Sequence, residues 1–252
     1  MNALVEITGL PMLHLVLLGL ITFVAGVVRG FSGFALSAVV MATALFILPP
    51  VKLIPILWFL EFSANILMVR NGIKEANMTV VMGLVIGSIL GYPIGLSLTH
   101  SLPVETSKLV ALCIVLTLAF TQILRVRLAF LATLPGLYGA GLISGVVSGL
   151  ASVGGMVVAL YVLASTAPAR EMRASLVMYL TVSLISSLVF LISYGMMDRA
   201  TIALGLLFSL PTMLGVAVGK QMFSPRLEPY YRPFCLSLLM VLAGTGILRL
   251  AT

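Results

Sequence analysis

The chain has 252 residues, of which 61% are hydrophobic and only 8% charged, with a formal net charge of +7 and a mean hydropathy of +1.24. A soluble domain carries about a quarter charged residues, so this composition excludes a water-solvated fold and places the chain in a lipid bilayer. The fourteen Lys and Arg residues are scattered at the ends of apolar segments with no basic run, a pattern that membrane topology explains and a nucleic-acid partner does not.

A helix needs roughly 20 apolar residues to span a bilayer. In chain order, the first apolar segment covers 11–47. The residues leading into it, "MNALVEITGLPMLHL", hold Glu6 but no Lys or Arg, unlike a cleavable signal peptide, so the segment is expected to be retained. It is interrupted at 29–34 by "RGFSGF". Segment 53–69 carries Glu61 near its middle, with Asn65 one turn on and on the same face. Segment 78–98 has Gly83, Gly87, Gly91 and Gly95 at every fourth position, which predicts a face packed closely on a neighbour. Segment 104–124 follows, and then 130–166, interrupted at 148–155 by "SGLASVGG". Segments 174–197, 200–222 and 233–250 complete the set, and no polar connection is long enough for a soluble domain. Tyr92-Pro93 and Pro211 occupy loosely corresponding places and read as kinks, either static or flexing. Cys113 and Cys235 read as buried small hydrophobes, since their spacing fits no metal or redox motif. His14 and His100 fall near segment ends, at the interface.

The chain also repeats. "GVVRGFSG" from Gly26 resembles "GVVSGLAS" from Gly145, "LGYPIGLSL" from Leu90 aligns with "LGVAVGKQM" from Leu214, and "QILR" ending at Arg125 matches "GILR" ending at Arg249. Offsets of 119, 124 and 124 in one order predict two halves, 1–127 and 128–252. If each long segment crosses once, the cationic residues divide evenly between the faces. If each folds back as a hairpin, Arg70, Lys74, Arg125, Arg127, Arg170, Arg173, Lys220, Arg226 and Arg232 share one face. Only Lys52, Lys108, Arg199 and Arg249 take the other. That division obeys the positive-inside rule, puts both termini outside and makes the halves inverted. Length argues the other way, because 11–28 is long enough to cross fully.

Broken helices at membrane depth survive only where protein or a watery cavity satisfies the freed backbone groups. The half-helices that resume after each break present N-terminal amides and positive dipole ends, a receptor for an oxyanion. The candidate anion-binding residues are therefore Arg29, Gly30, Ser32 and Gly33 in the first break and Ser148, Ser152, Gly154 and Gly155 in the second. A guanidinium in lipid costs about 2.5–3.5 kcal/mol even on lenient scales, and its fork suits carboxylate, sulfonate or phosphate. Arg29 either meets a solute, snorkels to an interface or pairs with Glu61. Glu61 in turn is a proton carrier or a counter-charge. Tyr179 and Ser183 fall opposite Glu61 and Asn65 in the repeat, so all four are candidate cavity-lining or coupling residues.

No GxxxxGK[ST] loop, HExxH motif or nucleophile elbow is present, so neither direct ATP use nor a metal, cofactor or hydrolytic centre is expected. At "GLISGVVSGLASVGGMVVALYVLAS" (141–165) the sequence resembles the TauE/SafE family of sulfite exporter-like permeases. Gly149, Leu150, Gly154 and Gly155 match that family's second signature. Ala151-Ser152 replaces its aromatic-Gly pair, Met156 stands where a third glycine is usual, and the later Pro is missing. The first break, Arg29 to Gly33, is Gly-poor for the family. The resemblance covers the whole chain and implies transport of sulfite, sulfonates or other small organic anions. The resulting expectation is an all-α polytopic membrane protein of two inverted halves, each opening on a broken or hairpin helix followed by three transmembrane helices. It would be a non-enzymatic secondary transporter of a small anion in a bacterial cytoplasmic membrane, with protons as a coupling partner and a homo-oligomer left open. An uncoupled anion channel or uniporter, and a membrane scaffold that moves no solute, are the alternatives.

Overall fold

A computed structural model describes residues 8–68, 75–124, 133–164, 169–222 and 228–251. Glu6, Arg70, Lys74, Arg125, Arg127 and Arg226 lie outside the described residues, as do the side chains of Arg170, Arg173, Arg232 and Cys235. The two interrupted segments each divide in two. The first gives α1 (Met12–Ser32) and α2 (Leu36–Ala44), followed by α3 (Pro50–Met68), α4 (Met78–Ser101) and α5 (Val104–Ile123). The second gives α6 (Leu134–Ala151) and α7 (Gly154–Ala164), followed by α8 (Ala169–Ser193), α9 (Arg199–Met222) and α10 (Glu228–Ala251). Among the described residues, seven helices are long and apolar enough to cross a membrane, and α10 adds a shorter apolar stretch over Leu236–Leu250.

The bundle has an apolar outer surface, and its interior, itself mostly apolar, encloses the few deep polar groups. Leu20, Leu90, Leu134, Leu206 and Leu210 are all more than half exposed, whereas Arg29, Ser144 and Thr212 are fully buried. That is the distribution lipid selects, since apolar side chains need no protein cover there and polar groups do. Cys113 follows the same logic and corrects the expectation from sequence: it is exposed on α5, where a small apolar thiol is at ease against lipid. His100 is exposed in the last turn of α4, and His14 is half-buried in the first turns of α1.

Two glycine seams join the helices, and they also give helix directions. Along α4, a Cβ on Gly87 would meet the Tyr138 carbonyl of α6 at 2.4 Å, and one on Gly91 or Gly95 would meet the Leu142 or Val146 carbonyl at 2.1 Å. Along α1, a Cβ on Gly26 would meet the Thr212 carbonyl of α9 at 2.4 Å, and one on Gly30 the Val216 carbonyl at 2.5 Å. No side chain fits at these separations, so the backbones touch. Contact positions rise together along both seams, so α4 runs parallel to α6 and α1 parallel to α9.

Side-chain ties extend the pattern. Lys52 near the start of α3 pairs with Asp198, whose Oδ1 also accepts the Thr201 N–H (2.7 Å) to cap α9. Lys220 near the end of α9 donates to the Leu67 carbonyl near the end of α3 (2.9 Å). α3 therefore runs parallel to α9. On α4, Asn77 caps the first turn by accepting from Thr79 and Val80, and its Nδ2 donates to Glu171 at the start of α8 (3.0 Å). Ser97 and Tyr194 meet at the far ends of the same two helices (2.7 Å), so α4 and α8 are parallel. Because Lys52 reaches the residue that follows α8 while Glu171 lies in its first turn, α3 and α8 run in opposite directions.

A candidate solute cavity between the broken helices

Both interruptions stop their helix in the same way. After α1, Gly33 takes a left-handed conformation (φ 88°) and its N–H returns to the Arg29 carbonyl (2.9 Å). After α6, Ser152 does so (φ 57°), with its N–H on the Ser148 carbonyl (2.8 Å). Glycine enters that region freely, but an L-residue does so at a cost of roughly 1–2 kcal/mol. Beyond the second stop, the chain passes so close to α6 that a Cβ on Gly154 would lie 2.0 Å from Ser148 Oγ.

Each break is clamped from within. At the first, the Arg29 guanidinium donates to the Gly33 carbonyl through Nη1, to Asn65 Oδ1 through Nη2 (2.8 Å) and pairs with Glu61 Oε2 (3.1 Å). Ser37 on α2 donates to the other Glu61 oxygen (2.7 Å). Ser32 turns its hydroxyl back as a long-range cap for Phe34 and Ala35 (3.4 Å each). At the second break, Ser144 donates to the Gly154 carbonyl (2.8 Å). Its single proton is thereby committed, so the Tyr179 hydroxyl donates to Ser144 Oγ (2.7 Å). Gln122 on α5 steadies α7 by donating to the Met156 carbonyl (3.2 Å). One clamp is charged and the other is neutral.

Between the clamps lies a cavity of about 60 Å³, reckoned as room for the centres of water molecules. One water needs about 10–15 Å³ on that measure, so there is room for more than one. Ser88, Ser148, Ser152, Ser183, Ser186 and Ser187 line it with hydroxyls, and Glu61, Asn65, Tyr92 and Tyr179 add further polar groups. Phe34 and Val153, from the two breaks, contribute apolar wall. Trp58 bridges α3 to α8 by donating Nε1–H to the Leu184 carbonyl (2.8 Å), and its ring stacks on Phe62 (5.3 Å between centroids).

Of the residues singled out from sequence, Glu61, Asn65, Ser148, Ser152, Gly155, Tyr179 and Ser183 line the cavity. Arg29, Gly30, Ser32, Gly33 and Gly154 stand behind its wall: Gly30 is in the α1–α9 seam, and Arg29 has no exposed surface at all. Two polar atoms at the cavity, Asn65 Nδ2 and Ser183 Oγ, are buried without a hydrogen-bond partner, and Glu61 Oε2 has only its ion pair with Arg29. Sequence reading missed Ser88, Ser186, Ser187 and Trp58. A signal was there, since 179, 183, 186 and 187 follow helical spacing and set a hydroxyl stripe on one face of an apolar helix. No group of three or more His, Cys, Asp or Glu is arranged to hold a metal among the described residues.

The family model for sulfite exporter TauE/SafE matches residues 18–245, nearly the whole chain. The chain belongs to the TauE/SafE family. This TauE/SafE protein is accordingly a transporter-like, multi-pass membrane protein and not an enzyme. No curated protein and no solved structure matches it.

Proposed function

We propose that the protein is a secondary transporter of a small anion, sulfur-containing or carboxylated, in a bacterial cytoplasmic membrane. The observation that carries this reading is the hydroxyl-lined cavity at membrane depth, where Asn65 Nδ2 and Ser183 Oγ are buried without partners. Buried donors normally find acceptors, and a small oxyanion supplies several. Asn65 and Ser183 are counterparts in the sequence repeat, so the solute is held where the two halves, 1–127 and 128–252, meet. Glycine amides at the start of α7 add a positive dipole end from the second break.

The halves are inverted in this reading. Helices α1, α3 and α9 share one direction, α4, α6 and α8 the other, and the repeat equates α1 with α6, α3 with α8 and α9 with α4. Because α1 and α3 are parallel, 33–49 carries the chain back as a hairpin, and α7 does so in the second half. Rocking one half against the other gives alternating access around the cavity. Glu61, with a carboxylate in the cavity wall, couples a proton to the solute.

The test is flux of sulfite, ethanesulfonate and acetate into proteoliposomes of the purified protein. Saturable flux of at least one is expected. Ser183→Ala should raise KM about two- to tenfold, the equivalent of one lost hydrogen bond. Glu61→Gln should abolish accumulation driven by a proton gradient. Unchanged pH-driven accumulation in that variant would favour an uncoupled uniporter, and absence of any saturable flux would end the transport reading.

A further inference from the structure

We infer that Arg29 selects for anions without touching them, by fixing which end of the Asn65 amide faces the cavity and by cancelling the charge of Glu61. This inference rests on the transport reading above and assigns its specificity.

A guanidinium carries donors only. Its Nη2 therefore takes the carbonyl oxygen of the Asn65 amide (2.8 Å), which leaves the NH2 end as the only group Asn65 can present elsewhere. Asn65 is 3% exposed, lines the cavity, and its Nδ2 has no partner. A carboxamide is nearly symmetric in shape, so nothing in its packing distinguishes its two ends. Arg29 makes that choice and turns this point of the cavity wall into a donor.

The same side chain settles the charge. Glu61 also lines the cavity and is 12% exposed, with Oε2 3.1 Å from the guanidinium. Ser37 supplies a hydrogen bond to Oε1 but no charge. Among the described residues, Arg29 is the cation paired with this carboxylate, and Lys220 near the end of α9 is held on the Leu67 carbonyl. With the pair intact, an anion meets hydroxyls and an amide. Without Arg29, it meets a naked carboxylate. Arg29 is thus a positioning residue that acts through Asn65 and Glu61.

A direct ligand and a positioning residue respond differently to a second substitution. The experiment measures KM and Vmax in proteoliposomes for flux down the solute's own gradient at equal pH on both sides, with the best transported of sulfite, ethanesulfonate and acetate, for wild type, Arg29→Gln, Glu61→Gln and the double variant. For Arg29→Gln, KM should rise by about tenfold or more, since it leaves a carboxylate uncompensated at the site. The double variant removes that carboxylate too, and its KM should return to within about threefold of wild type. A double variant as impaired as Arg29→Gln alone would overturn the inference, because Arg29 would then be gripping the solute itself. Should Arg29→Gln fail to fold, Asn65→Asp serves in its place: it keeps the shape and a partner for Arg29 but turns an acceptor to the cavity. A KM raised about tenfold or more supports the inference, and an unchanged KM overturns it. Wild-type protein with no saturable flux removes the transport reading itself, a failure distinct from lack of rescue.

Discussion

Arg29 sits where a charge costs about 2.5–3.5 kcal/mol on insertion scales, and Gly33, Asn65 and Glu61 meet three of its needs at once. Ser152 is strained for a different reason. Its counterpart in the repeat is Gly33, which takes the same left-handed turn freely, yet a serine holds the position with its hydroxyl at the cavity. Such strain in an L-residue is retained where the side chain is useful. Ser152→Gly should therefore leave thermal stability unchanged or raise it by up to about 1 kcal/mol, relief of the left-handed strain being partly offset by the entropy of the freer unfolded chain. The same variant should lose flux in proteoliposomes. A stabilised variant with full flux would mean that the hydroxyl does not serve the solute. Arg29 was legible in sequence as a deep cation with Glu61 as one of its three readings. Its hold on Asn65 was not, because that depends on α3 lying against the end of α1, which no local pattern specifies.

Helices meet here by backbone contact, and the seams separate glycines that are needed from glycines that are incidental. Gly95 has no room for a methyl, since its Cβ would lie 2.1 Å from the Val146 carbonyl, whereas a Cβ on Gly139 has nothing within 4 Å. Gly95→Ala should destabilise the protein by about 1–3 kcal/mol as α4 and α6 are forced apart. Gly139→Ala, in the interior of α6, should instead gain about 0.5–1 kcal/mol of helix propensity. Thermal melts in detergent compare the two, and equal effects would deny the seam. The four-residue glycine period predicted a packed face on α4. It carried no information about the partner, because every lipid-facing helix offers the same apolar surface.

At the scale of the whole molecule, the two ties between helix starts correspond across the proposed halves: Lys52 with Asp198, and Glu171 with Asn77. The Lys52 ammonium and the Thr201 hydrogen bonds hold Asp198 at about 2, below its ordinary 3.8. A carboxylate with a lowered folded-state pKa contributes stability that is complete above its unfolded value and disappears as pH falls through the folded one. The tie should therefore hold at neutral pH and fade between about 4 and 2. With both side chains more than two-fifths exposed, it contributes at most about 1 kcal/mol. Lys52→Met should lower the melting temperature slightly at pH 7 and by less at pH 2, where about half of Asp198 is already protonated. Segment boundaries and both breaks were readable from hydropathy and glycine placement. These ties were not, for they join residues 146 and 94 positions apart.

Their chemistry is unequal. One tie is an exposed ion pair that dissolved electrolyte screens within roughly 10 Å at 0.1 M. The other sets the Glu171 carboxylate against the Asn77 amide, a neutral donor that electrolyte screens far less. The first joins the helix starts at the end of α8 and the second those at its beginning, so the two ties lie at opposite ends of that helix. Brine presented to one face alone should therefore weaken the Lys52–Asp198 end of the helices and leave the Asn77–Glu171 end closer to its low-salt state.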